Sequence, residues 1–237
     1  MKRDLVQRVD LYGDNIGFVE LVDYMGNDLT IVNAARVSLG VHKNEVDERD
    51  KRLIDYLVEH KHTSTFEHNT ITFRVSVPLF VRSQHMRHRT WSYNEISRRY
   101  TDIDIQFYSP TMFRTQHKSN RQASNADDLS DPMVDCGALY DKAQASYLVD
   151  MHHKKSLKLF EKLTEAGVCR EQARGVLPQN MYTKYYATCN LNNLLKFISL
   201  RVHEGAQLEI QELAHGMLKI AKVLWPIAIE SYDANKK

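Results

Sequence analysis

The chain has 237 residues, of which 43% are hydrophobic and 26% are charged, and its formal net charge is +2. This composition excludes wholesale disorder, and the length suffices for a substantial buried core. The near-neutral charge excludes a strong global attraction to nucleic acid, so any anion site must be a local concentration of charge.

The first residues, MKRDLVQRVD, contain no apolar run after their basic start, and the longest wholly apolar runs, such as VPLF, are too short to span a bilayer. The cysteines Cys136, Cys169 and Cys189 form no CxxC pair. We therefore expect a cytoplasmic protein with no secretory signal, no membrane segment and no disulfide framework.

The N-terminal half shows strand and helix patterns in turn. The stretches DLVQRVDLY and IGFVELVDYM predict two strands joined by a turn at 13–15. Asn27 and Asp28 are candidate caps for a helix over DLTIVNAARVS, and NEVDERDKRLIDYLVEHKH predicts an amphipathic helix. NTITFRVSV alternates and predicts a strand that ends at Pro78, before a short helix over LFVRSQHM.

The second half contains one long polar stretch, residues 113–135, which predicts either a mobile surface loop or a lid over a site. A helix is predicted from about Met133 to Gly167, and a short one over CREQAR. MYTKYYATC predicts a strand, and two helices follow over LNNLLKFISLRV and AQLEIQELAHGMLKIAKVLW. Without a repeat or a linker, residues 1–237 are expected to form a single α+β domain, with a β-sheet core flanked by helices.

The segment RHRTWSYNEISRRY, residues 87–100, concentrates arginines and hydroxyl groups with one carboxylate. Arginine forks and serine hydroxyls suit phosphate oxygens, so the segment favours a phosphate or nucleotide site. A solvated charged loop and an RNA-binding strip are the alternatives. The chain has neither GxGxxG nor GxxxxGK[ST], so a bound dinucleotide would lie outside a Rossmann crevice or a P-loop.

Arg201 is predicted to lie on an apolar face. At 100° per residue it shares a helical stripe with Leu194 and Phe197. An arginine keeps its proton, so a buried one needs an anionic or accepting partner. Three explanations stay open: the side chain snorkels from the helix end, pairs with Glu204 or Glu209, or meets a ligand.

Two further groups of polar residues have ordinary explanations. Arg174 follows Glu171 by three residues, which permits a simple surface ion pair. The segment EHKHTSTFEH offers histidines and a glutamate, but it lacks HExxH or another dense metal spacing. We therefore expect no metal, and favour polar residues at a helix end or around an active site.

The segment RHRTWSYNEISRRY resembles the signature of flavin-dependent thymidylate synthases, RHRxxSxNExSxRY, at all nine fixed positions. The stretches FVELVDYMGNDL, AARVS, HTSTFEH, ARGVLPQNMYT and LRVHEGAQLEI follow in the family's order. The resemblance implies a methyltransferase that converts dUMP to dTMP. It also implies 5,10-methylenetetrahydrofolate as carbon donor, FAD reduced by NADPH as hydride source, and an α+β homotetramer whose active sites are shared between subunits, with no nucleic-acid or membrane partner.

The resemblance also assigns residues to the site. Those expected to bind dUMP are Gln84, Arg87, Glu95, Ser97, Arg98, Arg99, Arg174 and Arg201, with Ser97, Arg99 and Arg174 near the phosphate. Those expected to bind FAD are Ser64, Arg87, His88, Arg89, Glu95, Asn190, Asn192 and Lys196. At Asn192, Lys196 and Gly205 the chain departs from residues that are common in the family, which affects the expected FAD contacts.

The catalytic residues that the resemblance implies are Arg201, Glu95, Ser97 and His62. Arg201 would contact uracil and favour loss of the proton between its two carbonyls. Glu95 is the candidate for proton handling, with an ion pair to a neighbouring arginine as the alternative. Ser97 would bind and polarise the substrate, and His62 would lie near the flavin ring and the folate.

In the sequence no cysteine lies in or beside the signature, so activation of the pyrimidine is expected to be electrostatic rather than covalent. The rival hypothesis is a non-catalytic nucleotide- or RNA-binding module that stacks bases on Trp91, Tyr93 and Tyr100. A metal-dependent phosphohydrolase built on the histidines is a third possibility.

Overall fold

The computed structural model describes residues 7–121 and 124–235. Its main sheet is antiparallel, in the order β1-β2-β3-β9-β4. These strands are β1 (Arg8–Asp10), β2 (Phe18–Met25), β3 (Thr70–Pro78), β4 (Ser92–Glu95) and β9 (Tyr182–Asn190). Two small antiparallel pairs precede β9: β5 (Phe113–Gln116) with β6 (Ser124–Ser130), and β7 (Met133–Val134) with β8 (Ala143–Gln144).

The α-helices of the described residues are α1 (Asp28–Arg36), α2 (Glu48–Glu59), α3 (Leu79–His85), α4 (Ala145–Glu165), α5 (Arg170–Ala173), α6 (Leu191–Arg201), α7 (Leu208–Leu224) and α8 (Pro226–Ala234). Short 3₁₀ turns lie at Val37–Leu39, Thr63–His68, Gly137–Leu139 and Arg174–Val176. Across residues 7–121 and 124–235, none of these helices is long and apolar enough to cross a membrane. The expected class, a β-sheet with flanking helices, is confirmed.

The core forms where α6 and α7 cover the sheet. Alternate residues of the strands, such as Val19 and Phe73, are fully buried against apolar side chains of α7, such as Leu213. Helix α7 approaches the sheet closely at Gly216, where a Cβ atom would lie 2.7 Å from Cγ1 of Val19. A larger residue at this position would push the helix away from the sheet, so the glycine sets the helix-to-sheet distance.

The predicted N-terminal elements are mostly confirmed, with shifted boundaries. Asn27 caps α1: its side chain accepts from the backbone of Thr30, whose hydroxyl accepts in return. Helix α2 is shorter than its sequence pattern because Asp47 caps it and stops its N-terminal extension. Strand β3 ends at Pro78 as predicted, and α3 follows at once. Residues 4–6 of the first predicted strand lie outside the described residues.

Two predictions for the second half are wrong. Residues 113–135 are not a structureless loop, because β5 and β6 form a hairpin held by polar pairs such as Thr115 Oγ1 to Asp128 at 2.5 Å. The helix predicted from Met133 begins only at Ala145, after the β7–β8 pair. The last predicted helix, over residues 206–225, is confirmed as α7. Pro226 then starts a further helix, α8, which was not predicted from the sequence and in which the missing N–H of the proline is tolerated.

Helix α8 is capped from the other end of the chain. The buried carboxylate of Asp28 accepts from the backbone N–H groups of Ile227 at 3.2 Å and Ala228 at 3.0 Å. Burial raises the pKa of Asp28, and the two N–H groups oppose this shift by stabilising the charged form. The first and last helices are therefore joined by a long-range cap.

Candidate active site

The signature segment links α3 to the edge of the main sheet. Arg87, His88 and Arg89 lie between α3 and β4, and β4 pairs with β9. Ser97 and Arg99 follow β4 in a tight turn, in which Arg99 N–H donates to Ser97 Oγ at 3.3 Å. This arrangement leaves the cationic residues in turns at the ends of rigid elements, where their side chains can meet a ligand.

Several arginines of the site have no protein partner. Within residues 7–121 and 124–235, the exposed guanidinium groups of Arg87, Arg89 and Arg174 form no hydrogen bond or ion pair, so the permitted surface pair of Arg174 with Glu171 is not formed. Arg99 donates only to Tyr100 Oη, at 3.0 Å. Unpaired guanidinium groups are available for the oxygens of an anion.

Helix α5 borders this cationic region. Cys169 and Glu171 line one open pocket together with Arg99 and Tyr100. Cys169 is far from the signature in the sequence, and the fold brings it next to Arg99 and Tyr100. The thiol of Cys169 is exposed and lies 3.7 Å from Oε1 of Gln172.

Arg201, at the end of α6, turns towards α3. Its Nε donates to Nε2 of His88 at 3.2 Å, and Nη2 donates to the carbonyl of Gln84 at 3.2 Å. Burial lowers the pKa of Arg201, yet an arginine remains protonated. No carboxylate of the described residues pairs with Arg201, and Glu209 pairs with Arg114 instead. Of the three explanations, pairing with a glutamate is therefore wrong.

Two histidines beside Arg201 are held neutral. Burial lowers the pKa of His88 to about 4, and the charge of Arg201 adds to the effect. His85 is fully buried, and this burial is the main reason why its pKa falls to about 3; the electrostatic interactions with His88 and Arg201 lower it further. Nδ1 of His85 lies 2.9 Å from the hydroxyl of Tyr185. His85 and Tyr185 were not predicted, because their proximity depends on the pairing of distant elements.

Glu95 forms an ion pair, as its alternative interpretation proposed, although the partner lies outside the signature. Arg82 of α3 holds both carboxylate oxygens, with Nε at 2.9 Å from Oε1 and Nη2 at 2.7 Å from Oε2. The hydroxyl of Thr183 also donates to Oε1, at 2.6 Å. A proton-transfer role for Glu95 would have to operate from within this network.

The side chain of Arg98 does not fit the role expected of it. It is buried, and its guanidinium donates to the carbonyls of Ile103 at 2.7 Å and Asp104 at 3.3 Å. Arg98 therefore orders the loop after the signature rather than presenting a free cation. Its backbone N–H remains a candidate for a phosphate contact.

Some of the residues expected around FAD lie at the start of α6 or on the turn that packs against this helix. His62 and Ser64 are exposed on the 3₁₀ turn at Thr63–His68, which packs against α6. Asn190 caps α6 by accepting from the N–H of Asn193 at 2.9 Å. Asn192 is buried, and its Nδ2 donates to Glu67 at 2.8 Å. The side chains of Asn190 and Asn192 are thus already bonded within the chain.

The remaining candidates lie at the surface. Lys196 is exposed on α6. The rings of His60 and His62 pack around Tyr56, at 4.0 Å and 5.7 Å between centroids. Across the described part of the chain, no three His, Cys, Asp or Glu side chains are grouped to hold a metal ion.

Unpaired arginines next to a partly buried guanidinium form a site that suits an anionic ligand. A family model described as thymidylate synthase complementing protein matches residues 20–227. Two relatives are flavin-dependent thymidylate synthases. The one from Thermus thermophilus is 44% identical over 92% of this chain and 76% of its own length, and the one from Thermosipho melanesiensis is 42% identical over 91% and 90%.

A solved structure supports the same relationship. The UMP/dUMP methylase PolB from Streptomyces cacaoi, bound with 5-Br dUMP, superimposes with a TM-score of 0.78 at 32% identity, over 95% of this chain and 97% of that chain. The chain belongs to the flavin-dependent thymidylate synthase family. Its activity is therefore the reductive methylation of dUMP to dTMP, with methylenetetrahydrofolate as carbon donor and FAD and NADPH as reductants, which confirms the function predicted from the signature.

Proposed function

We propose that dUMP binds between the turn after β4 and the end of α6. Its phosphate lies against Ser97, Arg99 and Arg174, its uracil lies against Arg201, and its deoxyribose lies against Gln84. The unpaired guanidinium of Arg174 and the nearly free one of Arg99 support the phosphate position, because charge-assisted contacts to phosphate are stronger than neutral ones.

The observation that carries this proposal is the environment of Arg201. Its charge is partly buried and has no carboxylate partner among the described residues, while His88 and the Gln84 carbonyl hold it in place. Such a fixed cation stabilises negative charge that develops on a pyrimidine better than water does, because it needs no reorganisation. Arg201 then activates uracil by favouring loss of the proton between its carbonyls.

FAD lies next to dUMP, with its pyrophosphate against Arg87 and Arg89. Arg87 and Arg89 flank His88 and have no partner among the described residues, which suits two adjacent negative charges. When bound, FAD supplies the hydride that reduces the transferred carbon. Ser64, Asn190, Asn192 and Lys196 are assigned to other parts of the cofactor. His62 is assigned to the region where the flavin ring and the folate meet.

No thiol is assigned to catalysis. Cys189 is 4% exposed, and burial raises the pKa of its thiol, which suppresses the nucleophilic thiolate. Cys169 lines a pocket with Arg99, and among the described residues its thiol donates a hydrogen bond only to Gln172. Ser97 is assigned to binding, because none of the described side chains lies in position to act as its base.

The finer organisation of the protein is also proposed. The chain functions as one domain in a homotetramer with shared active sites, located in the cytoplasm, and needs no nucleic-acid partner. Val37 and Leu39 support a subunit contact, since these apolar side chains are 73% and 72% exposed in the single chain. The rival RNA-binding module is disfavoured because Trp91, one of its stacking platforms, is buried in the core.

The direct test uses the purified protein. We expect a flavin absorption spectrum, and formation of dTMP when dUMP, methylenetetrahydrofolate and NADPH are supplied together. Omitting any one of these substrates should stop dTMP formation. A colourless protein that takes up no added FAD, or one that binds FAD but forms no dTMP, would contradict the proposal.

A further inference from the structure

A hydrogen-bond relay leads from α7 to the candidate dUMP site. Gln207 Nε2 donates to Oε2 of Glu209 at 2.8 Å, and Gln84 Nε2 donates to Oε1 of Gln207 at 2.6 Å. The backbone carbonyl of Gln84 accepts a hydrogen bond from Nη2 of Arg201. Glu209 is thus connected to Gln84 through a single intervening amide.

Glu209 is a rigid starting point for this relay. It is 5% exposed, and Nη2 of Arg114 donates to both of its carboxylate oxygens, at 2.8 Å and 3.0 Å. The hydroxyl of Tyr108 donates to Oε1 at 3.2 Å. The ion pair between Arg114 and Glu209 also joins β5 of the β5–β6 hairpin to α7.

The charge of Glu209 determines the orientation of both amides. An ionised carboxylate only accepts hydrogen bonds, so Gln207 must turn its Nε2 towards Glu209. Its Oε1 then faces Gln84, which must in turn offer its own Nε2. The Oε1 atom of Gln84 is left without a partner among the described residues. The charge of Glu209 therefore fixes which atom of each amide donates and which accepts.

We propose that Glu209 and Gln207 are positioning residues that fix the amide of Gln84, so that its Oε1 faces bound dUMP as a hydrogen-bond acceptor. This inference rests on the proposed placement of Gln84 at dUMP. The donor that meets Oε1 is the 3′-hydroxyl, because an acceptor that faced the ring N3–H would oppose the loss of its proton. The relay favours a nucleotide that offers a donor there and disfavours one that presents an acceptor.

A double-mutant cycle on the FAD-loaded protein tests the relay. The variants are Gln84→Met, Gln207→Met and the double variant, and dUMP affinity is measured by calorimetry. We expect each single change to weaken dUMP binding about fivefold, the loss of one neutral hydrogen bond. The double variant should bind no more weakly than Gln84→Met, because Gln207 acts only through Gln84.

The control is Gln211→Met on the same helix. Gln211 donates to the carbonyl of Ala206 at 2.7 Å and stands outside the relay, so its dUMP affinity should match that of the wild type. If Gln207→Met folds poorly, Glu209→Gln tests the same relay, because it changes the group to which Gln207 donates. Its loss of affinity should likewise vanish in the Gln84→Met background.

Additive losses in the double variants would overturn the relay, as would wild-type affinity in Gln84→Met. Neither result would affect the proposed function, which stands on dTMP formation by the wild-type protein. An analogue without the 3′-hydroxyl identifies the donor. This analogue should bind the wild type and Gln84→Met equally, because the donor that meets Oε1 is missing. A fivefold difference that persists would show that Oε1 does not meet the 3′-hydroxyl, and would overturn this inference.

Discussion

Arg201 donates its Nε–H to Nε2 of His88 at 3.2 Å, which requires that this imidazole nitrogen carry no proton. His88 is therefore neutral, with its proton on Nδ1, and it orients the guanidinium without competing for negative charge. The pair places an immobile cation next to a histidine whose pKa is about 4, so the arrangement persists throughout the neutral pH range.

Replacing Arg201 with alanine should lower kcat/KM for dTMP formation by about 100-fold or more, because a fixed donor to the developing anion is lost. Circular dichroism and the melting temperature should show a folded protein. Arg52→Ala removes an exposed arginine of α2 and should leave turnover unchanged. Near-normal turnover in the folded Arg201→Ala variant would refute the assigned role.

Replacing Arg99 with alanine should raise the KM for dUMP roughly 10- to 100-fold, because a charge-assisted phosphate contact is lost. Binding of deoxyuridine, which has no phosphate, should be equal in Arg99→Ala and the wild type. Calorimetric titration with both compounds measures the difference. An equal loss for the two ligands would place Arg99 away from the phosphate.

The Arg82–Glu95 ion pair should contribute to stability. Arg82→Met leaves a half-buried carboxylate without its cation, and should lower the free energy of unfolding by about 1–3 kcal/mol, less than for a fully buried pair since both side chains are partly exposed. Adding Glu95→Gln should recover part of this loss. Urea denaturation provides the measurement.

The more exposed pair of Arg74 with Glu20 offers a matched comparison on the same sheet. Arg74→Met should change the free energy of unfolding by less than about 1 kcal/mol. Equal effects of Arg82→Met and Arg74→Met would mean that the network around Glu95 has no special stability.

The lowered pKa of His88 predicts acid sensitivity. In the unfolded chain this histidine titrates near 6.5, whereas in the folded protein it takes up a proton only near pH 4. The contribution of neutral His88 to the free energy of unfolding is therefore intact above pH 6.5, and it declines as the pH falls towards 4. His88→Asn should show a smaller fall in Tm over this interval than the wild type. Parallel curves for the two proteins would contradict the shifted pKa.

Replacing all three cysteines tests the absence of covalent catalysis. A variant with Cys136→Ser, Cys169→Ser and Cys189→Ala should form dTMP at a rate close to that of the wild type. The buried Cys189→Ala change should lower the free energy of unfolding by about 1 kcal/mol, through the small space it leaves. A well-folded triple variant without activity would show that a thiol takes part in the reaction.

Elements with a strong hydrophobic period were predictable from the sequence. The alternation of β3 and the apolar stripe of α2 both report directly on burial, so they appear in the structure with small changes at their ends. The β5–β6 hairpin gave no such signal, because polar contacts such as Asn125 Nδ2 to Thr115 Oγ1 hold it together.

The candidate site was predictable where local composition carried the information. The cationic segment and the position of Arg201 on an apolar stripe were both visible in the sequence. The partners Arg82, Gln207 and Glu209 were not, because each acts across the fold rather than along the chain. The buried side chain of Arg98 was missed for a related reason: nothing in a run of arginines indicates which one turns inward.

The cap that Asp28 provides to α8 bears on how the protein matures during synthesis. The carboxylate belongs to α1, and the N–H groups from which it accepts hydrogen bonds belong to α8, 199 and 200 residues later in the chain. Until α8 has been synthesised, this buried acid has no partner from that helix. Closure of the helical layer therefore waits for α8, and a nascent chain stalled before Pro226 carries an incomplete core for as long as the stall lasts.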